Sequence, residues 1–108
     1  MTDFSYLNVD NAYKLINQKV TKTPLVTNDY INNLLEAEIY FKLENLQNTG
    51  SFKLRGATHK ITKLIETAKD SGVVAYSSGN HAQAVAYASM INSISAKIIM
   101  PKTAPQIK

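Results

Sequence analysis

Between residues 38 and 100, segments with a strand pattern alternate with segments with a helix pattern, and this order constrains the fold most strongly. Strands are predicted at Glu38–Glu44, Val73–Tyr76 and Ala96–Met100. One amphipathic helix is predicted after Ser51 and a second from about Asn80 to Ile91. Because repeated strand–helix–strand units favour parallel strands joined by crossover helices, the sequence predicts an α/β fold.

The side-chain pattern of each segment predicts how it is buried. The first strand places Ile39, Phe41 and Leu43 on one side, so one covered face is expected. The strand Val73–Tyr76 is apolar throughout and is expected to be buried on both faces. The helix after Ser51 should turn five apolar residues toward a core: Leu54, Ala57, Ile61, Leu64 and Ile65. The second helix carries alanine at 82, 84, 86 and 88, which permits close packing on a sheet.

The first 35 residues predict two further helices separated by an extended segment. Val9, Ala12, Tyr13 and Ile16 recur at helical spacing. Thr23-Pro24 favours an extended chain, because the residue before a proline avoids the helical region. A short helix after Thr27 and Asn28 has its own apolar face, formed by Tyr30, Ile31, Leu34 and Leu35.

Composition excludes several classes of protein. The chain has 108 residues, no cysteine and a net charge of +4, so a small domain without disulfides or thiolate metal sites is expected. Its lysines are scattered, without interleaved aromatic residues, which argues against nucleic-acid binding. No apolar run reaches the length of a membrane span, and residues 1–5 do not resemble a secretory signal. A cytoplasmic location is the default expectation.

Lys53 is the first candidate for chemistry. It stands in Thr49-Gly50-Ser51-Phe52-Lys53-Leu54-Arg55-Gly56-Ala57, in the first turn of a predicted helix. The positive end of the helix dipole disfavours a cation there, and partial desolvation beside Phe52 and Leu54 would further favour a neutral, nucleophilic amine. The alternative is an ordinary exposed lysine on an amphipathic helix.

The second candidate is the turn Ser77-Ser78-Gly79-Asn80-His81, which follows the strand ending at Tyr76. Ligands of open parallel sheets bind at the carboxyl ends of the strands. Free N–H groups of the next helix, together with two hydroxyl groups, can bind a carboxylate or a phosphate. Taken alone, such a turn is usually only a helix cap.

Together these two strings resemble the serine/threonine dehydratase and serine racemase family of pyridoxal-phosphate (PLP) enzymes, fold type II. The Gly-Ser-Phe-Lys-x-Arg-Gly-Ala string carries most of the resemblance, and the Lys42-x-Glu44-Asn45-x-Gln47 segment also matches. From the residues alone, that segment is a strand end and a loop, with Lys42 and Glu44 on the exposed face.

The resemblance implies roles for the individual residues. Lys53 would be the Schiff-base lysine and would help to move the α proton of the substrate. Phe52 would pack beside PLP, although a plain core residue fits the sequence equally well. Asn80 would hydrogen-bond the phenolic oxygen of the cofactor, and Ser78 is the base on the opposite face in racemases. The substrate carboxylate would be held by the whole turn: Ser77, Ser78, Gly79, Asn80 and His81.

The resemblance also implies an incomplete architecture, a partial parallel-sheet, three-layer fold like that of the tryptophan synthase β subunit. Residues 1–68 would begin the large PLP domain and residues 71–108 would begin a smaller βαβ domain. The family's glycine-rich phosphate loop and pyridine-nitrogen partner have no counterpart in this sequence. Thr103-Ala104-Pro105 predicts a helix start just before the last residue, which suggests an N-terminal fragment.

The expected activity is PLP-dependent deamination of L-threonine or L-serine to a 2-oxo acid and ammonia. A serine or hydroxyaspartate racemase or dehydratase, and a non-catalytic anion-binding module, are the alternatives. The partners expected are a small amino acid substrate and, for the full-length protein, further copies of itself. No metal site is predicted, and neither His59 nor His81 is assigned an acid–base role.

Overall fold

The computed structural model describes residues 5–107, which form five α-helices and four short strands. The helices are α1 (Tyr6–Ile16), α2 (Asp29–Leu35), α3 (Lys53–Lys63), α4 (Ile65–Ser71) and α5 (Asn80–Ile91). The strands are β1 (Leu25–Thr27), β2 (Tyr40–Lys42), β3 (Val73–Tyr76) and β4 (Ala96–Ile99). A single turn of 3-10 helix spans Glu44–Leu46. Every helix and strand predicted up to residue 100 is present, although the one helix predicted after Ser51 is divided at Leu64 into α3 and α4, and β2 is shorter than expected.

Strands β3 and β4 are parallel, and α5 is the crossover between them, as predicted. Val73 is opposite Ala96 and Tyr76 is opposite Ile99. The prediction that β3 is buried on both faces is wrong, since Val74 is 68% exposed and Tyr76 is 84% exposed. In the described part of the chain, β3 has only β4 beside it, and helix α5 packs on the pair.

The strand predicted at Glu38–Glu44 does not join that parallel sheet. Its ordered part, β2, pairs antiparallel with β1, with Val26 opposite Phe41. Helix α2 lies between the two strands and reverses the chain; the Asn28 side chain caps it by accepting a hydrogen bond from the Ile31 N–H at 3.0 Å. The expected covered face is only partly formed: Ile39 and Leu43 are half-buried, whereas Phe41 is 40% exposed.

The core lies between α3 and α5. Leu54 and Ala84 are completely buried, and Ala57 and Ile61 are almost so, which confirms the predicted inner face of α3. Three of the four alanines of α5 are buried: Ala82, Ala84 and Ala88. They allow α5 to approach α3 as well as the β3–β4 pair, so the close packing on a sheet that the alanines permit is accompanied by packing on a helix. The core cluster also includes Ile16 and Val20 from the N-terminal part.

Gly72 joins α4 to β3 in a conformation that requires glycine. Its φ of +72° and ψ of −168° are almost inaccessible to other residues. A Cβ atom added there would lie 2.7 Å from the carbonyl oxygen of Ser95. Because Gly72 has no side chain, the Ser95 carbonyl can lie close to it. The Val73 N–H then donates to that same oxygen at 2.9 Å, next to the β3–β4 pair.

The structure also bears on two expectations about the end of the chain and its domains. The helix predicted to start at Thr103 is not formed, since residues 101–107 make turns. The boundary between domains near residue 70 remains a prediction, and the core described here includes residues from both sides of it. Between residues 5 and 107, no helix is long and apolar enough to cross a membrane.

Candidate functional site

Lys53 is the first residue of α3, as predicted. The chain enters the helix through a turn at Gly50, whose φ is +69° and whose N–H donates to the Gln47 carbonyl at 2.7 Å. Phe52 is 61% exposed, so the core interpretation of Phe52 is wrong. The Lys53 Nζ lies 5.2 Å from the centroid of the Phe52 ring. The predicted desolvation of Lys53 is not observed, because its side chain is exposed.

The turn at residues 77–81 extends the parallel sheet and then starts α5. The Ser77 N–H donates to the Ile99 carbonyl at 3.1 Å, and the Gly79 N–H donates to the Ser77 Oγ at 3.2 Å. Helix α5 begins at Asn80. Its N-cap residue is Gly79, which has no side chain to cap the helix, and its first turn contains no acidic residue. The N-terminal N–H groups of α5 therefore favour an anion at this position.

Lys53 and the turn meet in one open cleft of about 700 Å³. Six residues line it: Lys53, Tyr76, Ser77, Ser78, His81 and Pro101. Of the predicted site residues, Lys53, Ser77, Ser78 and His81 are thus brought together. Gly79 and Asn80 belong to the same turn but do not line the cleft. None of the described residues that line it is a carboxylate, and the Lys53 amine adds positive charge, so the cleft suits an anionic ligand.

An apolar groove adjoins the cleft and shares Lys53 and His81 with it. The groove has a volume of about 530 Å³ and runs between α3 on one side and β3 and α5 on the other. Its walls include Ile61, Leu64 and Val85. His59, the other histidine considered in the sequence, lines a separate cavity between α1 and α3. Residues 5–107 contain no group of three His, Cys, Asp or Glu side chains that could hold a metal ion.

The sequence interpretation missed an ion pair beside Lys53. Arg55 donates from Nε to Glu44 Oε2 at 2.9 Å and from Nη2 to Glu44 Oε1 at 2.7 Å. The Glu44 side chain is only 15% exposed, so placing it on an open face was wrong. The hydrogen bonds from Arg55 are the main reason that the pKa of Glu44 falls from 4.5 to about 2. The available signal was that Arg55 is the only arginine in the chain.

Comparison with known proteins decides the family. Residues 16–108 match the family model described as "Pyridoxal-phosphate dependent enzyme". The chain belongs to this family. This confirms the resemblance seen in the two strings and the PLP dependence that it implied.

Three relatives show how closely the chain matches. It is 44% identical to the serine racemase of Dictyostelium discoideum over all 108 residues, which are 33% of that protein. Identity is 51% over 100 residues with the biosynthetic L-threonine dehydratase of Lactococcus lactis, covering 93% of this chain and 24% of that protein. Identity is 44% over 104 residues with the L-threo-3-hydroxyaspartate ammonia-lyase of Saccharomyces cerevisiae, covering 96% of this chain and 32% of that protein.

The fold agrees with the sequence match. The crystal structure of the Dictyostelium serine racemase superposes with a TM-score of 0.88 at 46% identity, covering 94% of this chain and 33% of that one. This confirms the predicted α/β class and the fold type II architecture. The chain spans about a third of the length of the Dictyostelium and yeast relatives and about a quarter of the Lactococcus relative.

The residues present fit PLP. The cleft volume is within the range of small-ligand sites, and it exposes a primary amine for covalent attachment beside a helix N-terminus that favours anions. Two hydroxyl oxygens in the segment that precedes Lys53, Thr49 Oγ1 and Ser51 Oγ, are buried without a hydrogen-bond partner in the structure. Buried hydroxyl groups without a partner are uncommon in proteins. These two therefore offer hydrogen-bond donors and acceptors to a ligand beside the start of α3.

Proposed function

We propose that the full-length protein that carries this chain is a PLP-dependent ammonia-lyase. It deaminates L-threonine, L-serine or both to a 2-oxo acid and ammonia. The observation that carries the proposal is the shared cleft of the Lys53 amine and the Ser77–Ser78 hydroxyl groups. The threonine dehydratase relative, 51% identical over 100 residues, supports the choice of substrate class.

Each side chain of the cleft has a defined task in this proposal. Lys53 holds PLP covalently through Nζ and afterwards transfers the proton of the substrate α carbon. Its neighbour Phe52 packs beside the cofactor ring. PLP, when bound, supplies the electron sink that stabilises negative charge at the α carbon. The exposed position of Lys53 at the cleft leaves the amine accessible to both cofactor and substrate.

The turn that starts α5 binds the substrate carboxylate. Ser77, Ser78 and the N–H groups after Gly79 provide hydrogen-bond donors, and the dipole of α5 adds a favourable field. His81 lines the same cleft and adds a donor at the mouth of this site. Asn80, at the first position of α5, would hydrogen-bond the phenolic oxygen of the cofactor.

A racemase is the second candidate, and one observation favours it. Ser78 is exposed and lines the cleft with Lys53, so a second group is available for proton transfer. Racemisation needs two proton-transferring groups on opposite sides of the α carbon. The Dictyostelium serine racemase relative supports this candidate, and the yeast L-threo-3-hydroxyaspartate ammonia-lyase supports hydroxyaspartate as an alternative substrate.

The test uses the full-length protein and the variant Lys53→Ala. This variant should lose covalent PLP and all 2-oxobutanoate production from L-threonine, because no other group replaces the lysine amine. Lys63→Ala, on the exposed side of the same helix, is the control and should retain both properties. Threonine-dependent turnover in Lys53→Ala would refute the proposal.

Two further variants separate the candidates. Asn80→Ala should retain bound PLP with reduced activity. Ser78→Ala should abolish conversion of L-serine to D-serine in a racemase, whereas in a lyase it should raise the KM for L-threonine without abolishing ammonia release. Chiral chromatography of the serine product and an ammonia assay distinguish these outcomes.

A further inference from the structure

The pair Glu44 and Arg55 lies at the centre of a hydrogen-bond cluster that joins three segments of the chain. The two side chains meet through two parallel hydrogen bonds of 2.9 and 2.7 Å. Both are largely buried, with 15% of Glu44 and 26% of Arg55 exposed. Bidentate arginine–carboxylate pairs fix direction as well as distance, so this pair restrains the orientation of both side chains.

The segment of residues 21–23 completes the cluster. Thr23 donates its hydroxyl to Glu44 Oε1, and Arg55 Nη2 donates to the Thr21 carbonyl at 3.1 Å. Gln47, which is 4% exposed, bonds the Thr21 backbone twice, accepting from its N–H at 2.8 Å and donating to its carbonyl at 2.9 Å. Arg55 on α3 is therefore held to two loops that precede the helix.

This cluster bears on Lys53 because of helix geometry. Arg55 follows Lys53 by two residues, which is a rotation of about 200° around the axis of α3. Lys53 faces the cleft at the Ser77–Ser78 turn, while Arg55 points to the other side of the helix. Leu54 lies between them and is completely buried. The hydrogen bonds of Arg55 and the burial of Leu54 together determine how the first turn of α3 is rotated about the helix axis.

The usual means of fixing a helix start is absent at this position. Phe52 is the cap residue of α3 and makes no side-chain cap hydrogen bond, and the preceding Ser51 Oγ has no partner in the structure. The first turn of α3 therefore depends on contacts made by residues after its start. In that turn, Arg55 binds the Glu44 carboxylate and the Thr21 carbonyl, which belong to two segments that precede the helix.

We propose that Glu44 and Arg55 are positioning residues for Lys53, which set the rotation of the first turn of α3 and so the location of the Lys53 amine in the cleft. Neither residue lines the cleft. The inference rests on the proposed function, since it concerns the lysine that is proposed to bind PLP.

The test measures the rate at which the full-length apoprotein attaches PLP to Lys53. Borohydride reduction at timed intervals, followed by peptide mass spectrometry, reports the attached fraction without any assay of turnover. Three variants are compared: Arg55→Lys, which keeps the charge but loses the two-point geometry, Glu44→Gln, and the exchanged pair Glu44→Arg with Arg55→Glu. Lys14→Ala, which removes the exposed Asp10–Lys14 pair of α1, is the control.

The expected result is attachment slowed about tenfold or more in the two single variants, unchanged in Lys14→Ala, and partly restored in the exchanged pair. The rates are compared at a temperature where near-ultraviolet circular dichroism shows every variant folded. Equal rates in wild type and Arg55→Lys would overturn the inference. So would failure of Arg55→Lys to fold at any temperature, because the pair would then act on general stability.

These outcomes are distinguishable from failure of the proposed function. If the wild-type protein itself attaches no PLP to Lys53, the proposed function is wrong. If the wild type attaches PLP and the variants do so equally fast, only the positioning role is wrong.

Discussion

Two regions of the molecule have similar amphipathic patterns but very different burial. Helix α3 turns its apolar residues into the core, where Leu54 is 0% exposed and Ile61 is 4% exposed. Helix α2 also has an apolar face, yet Tyr30 is 75% exposed and Leu34 is 65% exposed. A hydrophobic stripe therefore indicates which face of a helix can be buried, whereas burial itself depends on a neighbour that is close enough to cover it.

The strands repeat the same contrast. Both β1–β2 and β3–β4 are two-stranded, but within residues 5–107 only the second pair has a helix packed across it. All residues of β1 and β2 are exposed. We therefore expect the segment of residues 25–42 to contribute little to the free energy of unfolding of this chain, and α3 with α5 to contribute most of it.

The largest difference is expected between two leucines. Leu54→Ala should lower the free energy of unfolding by about 2–5 kcal/mol, because it leaves a cavity in the core. Leu34→Ala should lower it by less than about 1 kcal/mol, since that side chain is largely in water already. Urea unfolding followed by circular dichroism measures both. Equal losses in the two variants would show that the apolar face of α2 is covered. Measuring both variants in the full-length protein tests whether residues outside this chain cover that face.

A smaller difference is expected between two helix ends that have positive φ. Gly72→Ala should destabilise the chain by about 1–3 kcal/mol through backbone strain, in addition to the contact with the Ser95 carbonyl. Glu36 ends α2 with φ of 48°, where glycine is preferred, so Glu36→Gly should be neutral or stabilising by less than about 1 kcal/mol. Thermal midpoints of both variants check this; stabilisation by Gly72→Ala would contradict it.

The smallest effect concerns the ion pair that joins the two regions. The pKa of Glu44 is lowered to about 2, so its contribution to stability is complete above pH 4.5 and is lost as the pH falls through 2. Such a shift corresponds to at most about 3 kcal/mol, which partial exposure of the pair reduces to about 1–2 kcal/mol. Urea unfolding between pH 5 and 2 measures it, with Glu44→Gln as the control.

The control separates the contribution of Glu44 from that of the other carboxylates. Glu44→Gln should show a shallower loss of stability over this interval than the wild type does. Identical pH profiles would show that Glu44 carries no special share of the acid sensitivity. The Asp10→Asn variant, which breaks the exposed pair with Lys14, should leave the profile close to that of the wild type.

Part of the candidate site could be predicted from local sequence. Lys53 at a helix start and Ser77–Asn80 before a second helix follow from turn residues and helical periodicity, which are short-range signals. The exposure of Phe52 and the partner of Arg55 could not be predicted in this way. Glu44 is eleven positions from Arg55, and Thr21 is 34 positions from it, so neither contact follows from a spacing rule.

The sequence by itself determined where the helices and strands lie, the family, and which lysine and which turn are the candidates for chemistry. It could do so because helix periodicity, glycine and proline breaks, and the Gly-Ser-Phe-Lys string act over a few neighbouring residues. Only the tertiary structure decided that β2 pairs back on β1, that α5 packs on α3, and that Arg55 binds Glu44 and Thr21. Those outcomes depend on which surfaces meet across long stretches of chain, and apolar burial has no direction of its own to specify the partner.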